Sequence, residues 1–193
     1  MNIRSPMMSS ISSRRSGFIE GRHCGLSDRG RENFDINEID RVGITDRHKL
    51  IIAECIMAWA VFDSQFRAML TAVEDRDLDA GALDYDRLKI SQAWQKLRKS
   101  LKAQGAVESV LDVIKNHEKN YWQAVEARNM IAHAGCVGVW AADRDYLIFA
   151  PFEAEGRGRM VIIRQPLEVI ERSTRWARAF AELADRILRS RGY

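Results

Sequence analysis

Apolar residues recur every three or four positions between residues 52 and 73: Ile52, Cys55, Trp59, Phe62, Phe66, Met69 and Val73. That step lines one side of an α-helix, and it predicts a helix opened by Thr45 as N-cap and running to about Val73. The pattern breaks in "EDRDLDAGALD", which reads as a loop. A second helix is expected from about Tyr85 to Ala103, with Leu88, Ala93 and Leu97 inside, a Lys/Arg-rich exterior and Gly105 as its terminator. A third spans about Ala106 to His133. Residues 7–150 contain no proline, which permits long helices there, since proline breaks helix interiors.

Beyond Gly135 the periodicity changes. "CVGVWAA" and "DYLIFAPF", parted by "DRD", read as a β-hairpin, and "RMVIIRQ" reads as a third strand. Gln165-Pro166 opens a last helix, with proline where its missing N–H costs nothing. Ile170, Ala177, Phe180, Ala184 and Ile187 give that helix a buried face. The expected architecture is mainly α: a bundle of four main helices with a small three-strand insertion at about 136–165. Residues 1–40 differ. "SPMMSSISSRRSG" is rich in Ser and Arg and has no apolar period. It reads as a disordered leader or, because Ile19–Arg22 spells a protease site used in expression vectors, a vector-derived one. It lacks the apolar stretch of a signal peptide. The fold is assigned to 41–193.

Composition narrows the function classes. The 193 residues are 46% hydrophobic and 30% charged, as in a globular domain. The net charge is +3, and residues 1–33 hold six Arg against three acidic residues, so the remainder is neutral. A broad nucleic-acid-binding face is therefore not expected, and contact with a polyanion has to be local. Three widely spaced cysteines, Cys24, Cys55 and Cys136, fit neither a disulfide framework nor zinc spacings, and they suit a reducing cytoplasm. The longest charge-free run of the body, Cys55 to Phe62, is too short to span a bilayer. No P-loop, dinucleotide fingerprint, HExxH or nucleophile elbow is present, and no clustered metal ligands, so neither a cofactor nor a metal is expected.

The stretch "EARNMIAHAGCVGVW", Glu126 to Trp140, is where chemistry concentrates. At 100° per residue, Val107, Leu111, Ile114, Tyr121, Val125 and Ala132 fall on one side of the third helix, and Arg128 falls among them. Asn129 and His133, four apart, are stacked neighbours at the edge of that side. A buried guanidinium needs an anion, because it cannot shed its charge. Asp63 on the first helix, Glu54 with less support, or a ligand would supply one. A purely structural account also exists: Arg and His in a last turn suit the negative end of the helix dipole, with Gly135 as cap.

The form Arg-Asn-x-Ile-Ala-His-Ala-Gly, closing a long helix ahead of a small-residue turn and "VW", resembles the signature of the HEPN superfamily. That resemblance covers about residues 46–190, including the aromatic first helix "AWAVFDSQF" and a last helix after an insertion. It implies a HEPN-like helical bundle and a metal-independent endoribonuclease, of the kind found among toxins and defence factors. Arg128 would hold the phosphate, His133 would move protons, and Asn129 would orient the imidazole or bind a phosphate oxygen. The products implied are a 2′,3′-cyclic phosphate and a 5′-hydroxyl. One chain brings one such His, while cleavage needs an acid and a base, so a homodimer with a composite site is implied. The partners are then RNA or a nucleotide and, where the protein works as a toxin, an antitoxin. The alternative is a non-catalytic HEPN-like module that binds a nucleotide or another protein. Gly135 stands where a subgroup paired with nucleotidyltransferase antitoxins carries Tyr, so regulation through that tyrosine is not expected. Trp140, Arg157 and Arg159 are further RNA-contact candidates, though a strand tryptophan usually packs and a basic turn is usually solvated. Trp59, Trp94, Trp122 and Trp176 are expected in packing, His48 and His117 read as incidental, and Cys136 as a small buried residue.

Overall fold

Thr45 and the apolar stripe behind it set the first long element. In the computed structural model, which describes residues 19–23, 31–34, 36–74, 88–151 and 161–192, helix α1 covers Asp46–Val73 with Thr45 as N-cap. The turn is closed by His48. Its Nδ1 accepts from the Thr45 N–H at 2.9 Å and lies 2.8 Å from the Thr45 hydroxyl, while Nε2 faces the Arg144 carbonyl at 2.9 Å. With Nδ1 accepting, the proton sits on Nε2 and is donated to Arg144. His48 is 3% exposed, so this residue, read from sequence as incidental, fastens the start of α1 to a hairpin far along the chain.

Helix α2 covers Ile90–Ala103, the described part of the helix expected from Tyr85. Gly105 ends it in the left-handed region (φ +73°). Its N–H bonds the Lys102 carbonyl and the next N–H, of Ala106, bonds that of Leu101. This reciprocal pair uses up two orphan carbonyls, and it needs a residue without a Cβ at the turn. Helix α3 covers Glu108–His133 and helix α4 covers Leu167–Ser190, with Pro166 as N-cap.

The helices meet on an aromatic cluster. Phe62 lies 5.1 Å from Trp59 and 5.1 Å from Phe180, and Trp94 lies 4.6 Å from Phe66 and 5.1 Å from Phe180, centroid to centroid. All four helices contribute, since Tyr121 of α3 packs 5.8 Å from Trp59. Burying one such ring is worth about 1.5–3 kcal/mol, and each edge or offset contact adds about 0.5–1.5 kcal/mol. Polar bonds fix the register. The Trp59 indole donates to Ser173 Oγ at 2.9 Å, and Ser173 donates to the Ala124 carbonyl at 2.7 Å, which links α1, α4 and α3.

The insertion before α4 forms β4 (Ala134–Trp140), β5 (Asp143–Pro151) and β6 (Val161–Pro166). These pair antiparallel in the order β6-β5-β4, and β3 (Ile39–Asp40) adds to β4. Val139, Leu147 and Phe149 join the helical core, while Ile148 and Ile162 are buried on the other face. The register shifts between Cys136 and Gly138, and a Cβ on Gly138 would lie 2.7 Å from the Asp40 carbonyl oxygen. Glycine is what lets β3 approach this closely.

The boundary at residue 40 differs from the expectation. Strands β1 (Ile19–His23) and β2 (Arg31–Phe34) extend the sheet, with β1 parallel to β6, and β3 also falls before residue 41. Pairing partners more than a hundred residues away leave no local trace in so polar a segment. Residues 1–18 lie outside the described residues. No helix among the described residues is long and apolar enough to cross a membrane.

Candidate functional site at the end of the third helix

Helix α3 is lightly covered. Ile114, Tyr121 and Ala127 are its only buried residues, whereas Val107, Val110 and Val113 are exposed. The apolar side read from the sequence is therefore only partly met by the rest of the chain, and Val107 and Ala132 lie in solvent. Arg128 is half-buried, and Asn129 and His133 are exposed. Arg128 Nη1 donates to Asn129 Oδ1 at 3.1 Å, which is its hydrogen bond among the described residues.

The two carboxylates considered for Arg128 are otherwise engaged. Glu54 pairs with Arg178 at 3.2 Å, and Asp63 pairs with Arg67 one turn along α1 at 3.1 Å. No carboxylate among the described residues lies within ion-pair distance of the Arg128 guanidinium.

Arg128 and Asn129 border a cleft of about 680 Å³ between α1 and α3, lined also by Trp59, Asp63, Tyr121 and Trp122. Tyr121 is 7% exposed, and its hydroxyl finds no hydrogen-bond partner among the described residues. Burial pushes the Tyr121 phenol above its ordinary pKa, Arg128 draws it back down, and Asp63 pushes it up. Both charges thus bear on the same phenol. Trp122 packs edge-on against Tyr121 at 5.0 Å and is 51% exposed. Sequence reading grouped it with the packing tryptophans; the signal that could have singled it out is its place next to the polar flank of the helix.

His133 does not border this cleft. Five residues along a helix correspond to about 7.5 Å of rise and about 140° of rotation from Arg128. Gly135 is not a helix cap. Ala134 is already extended (φ −125°, ψ 144°), and α3 passes directly into β4. A strand partner, β5, takes over the hydrogen bonding that a glycine turn would otherwise provide.

No family model, curated protein or solved structure matches the chain.

Of the remaining candidates, Trp140 donates to Glu38 at 3.2 Å, packs edge-on against Tyr146 and carries the Arg164 guanidinium 4.5 Å above its ring. That indole is occupied by packing. Arg157 and Arg159 lie outside the described residues. Burial raises the Cys136 thiol above its ordinary pKa, which opposes a nucleophilic role. Among the described residues no three His, Cys, Asp or Glu side chains gather in a metal-binding group.

Proposed function

We propose that the chain is a HEPN-type, metal-independent endoribonuclease of the cytoplasm, working as a homodimer whose two α3 ends form one site. The observation that carries this reading is the Arg128 guanidinium. It is half-buried beside aromatic rings, bonded to a neighbouring amide and matched by no carboxylate. A permanent cation held this way is suited to a phosphate, which its planar fork can grip with two hydrogen bonds. Exposed apolar side chains on α1, Ile56, Met57 and Val61, together with Trp122, offer surface for a second copy.

In the reaction, one His133 takes the proton from the 2′-hydroxyl as its oxygen bonds to phosphorus. The bond from phosphorus to the 5′-oxygen breaks, and the His133 of the second copy donates a proton to that oxygen. Arg128 and Asn129 stabilise charge on the non-bridging oxygens. The test is RNA cleavage in EDTA with end-group analysis. The wild type yields 2′,3′-cyclic phosphate and 5′-hydroxyl ends and His133→Ala does not; absence of cleavage by the wild type overturns the proposal. Expression in a host cell extends it. A toxin depresses growth, Arg128→Ala and His133→Ala restore it, and an antitoxin partner suppresses it.

A second reading, a non-catalytic nucleotide- or protein-binding module, is favoured by one observation: His133 stands outside the cleft that Arg128 and Asn129 border. Binding without cleavage, unaffected by His133→Ala, would select it.

A further inference from the structure

The cleft between α1 and α3 has the composition of a ligand site in its own right. We infer that it binds a planar aromatic ring carrying an anionic group, carboxylate or phosphate, independently of His133 and of any second copy.

Three hydrogen-bond donors and an aromatic wall support this assignment. The Arg128 guanidinium lacks a counter-ion among the described residues. Asn129 gives its carbonyl oxygen to Arg128, so its amide hydrogens are what it can offer a ligand. Tyr121 is 7% exposed with an unbonded hydroxyl, and burial together with Asp63 keeps that hydroxyl protonated. Asp63 is held by Arg67, so the cleft keeps one uncompensated positive charge, which selects against cations. The wall consists of Trp59, Tyr121 and the half-exposed Trp122, whose faces suit a flat ring. A cavity of about 680 Å³ falls in the range of small-molecule sites, roughly 300–1,000 Å³. Folding alone does not account for an unbonded phenol, an unmatched guanidinium and an exposed indole at one place.

Two sources share this chemistry, nucleoside monophosphates and aromatic carboxylic acids. The full-length chain is titrated by calorimetry and tryptophan fluorescence with adenosine 5′-monophosphate and with indole-3-acetate, using adenosine and tryptamine as the neutral and cationic controls. At least one anion binds, its control binds about tenfold more weakly or not at all, and Arg128→Gln weakens the anion by about tenfold or more, as loss of a charge-assisted hydrogen bond requires. Tyr121→Phe, which removes only the hydroxyl, weakens it several-fold, and Trp122→Ala removes the fluorescence response. His133→Ala leaves binding unchanged. Circular dichroism establishes that each variant is folded. Failure of both anions at millimolar concentration, equal binding of the uncharged or cationic control, or indifference to Arg128→Gln overturns the assignment. Cleavage in EDTA reads out separately through His133, so either conclusion can fall without the other.

Discussion

Helix α1 presents two flanks of opposite character. Toward α4 it is sealed: Cys55, Phe62 and Phe66 are fully buried, Phe180 closes over both rings, and Ser173 satisfies the Trp59 indole. Toward α3 it opens into a cleft where a charge, a phenol and an indole remain unmatched. The first flank minimises the free energy of this chain alone. The second spends apolar and charged surface on something the chain does not contain, which is how binding surfaces differ from cores.

Mutations separate the two flanks most sharply at their extremes. Phe180→Ala, in the sealed flank, is expected to destabilise the fold by about 3–5 kcal/mol, measured by urea denaturation; a loss below about 1 kcal/mol would mean that the aromatic cluster is not the structural centre. Ser173→Ala strands a buried indole N–H and is expected to lose about 1–3 kcal/mol, with Ser173→Thr recovering part of it. His48→Ala removes both the cap of α1 and its bond to Arg144, for about 1–2 kcal/mol. Trp122→Ser and the pair Met57→Ser with Val61→Ser, on the open side, are expected to change stability by less than about 0.5 kcal/mol while converting a dimer to a monomer in light scattering. A wild type that is already monomeric breaks the dimer proposal.

pH probes the sealed side by another route. Burial holds the His117 imidazole below its ordinary pKa of 6.5, and its ring packs 5.3 Å from Phe180. The unfolded chain accepts a proton that the native state resists, so unfolding takes up protons. His117 therefore contributes stability above about pH 6.5 that is lost as the pH falls through and below that value. Denaturation midpoints between pH 7.5 and 5 are expected to drop for the wild type and to drop less for His117→Phe. An equal drop would assign the sensitivity elsewhere.

Much of the scaffold was legible because periodicity reports it directly. The α1 stripe from Cys55 to Val73 is buried as its spacing predicts, and Thr45 is the N-cap. Ile170, Ala177, Phe180 and Ala184 likewise turn inward on α4. The reading of α3 went astray for the same physical reason: periodicity reveals an apolar side but not what covers it, and here Val107 and Ala132 lie in solvent. His48 and Gly135 were misread because their roles depend on chain that is distant or not helical. His48 bonds the Arg144 carbonyl, and Gly135 pairs with Ala150 in the sheet. At the site, the position of Arg128 on a partly apolar side was readable, but the engagement of Glu54 by Arg178 and of Asp63 by Arg67 was not. Several cations compete for each carboxylate, and only the fold decides which one wins.

The passage from α3 into β4 without an intervening loop leaves His133 one peptide from a hydrogen-bonded strand. Its imidazole inherits the stiffness of the β4–β5 hairpin. A chemical change on that hairpin, even one far from the cleft, would be transmitted to the ring as a tilt of the whole helix end, which makes the sheet the rudder of this terminus.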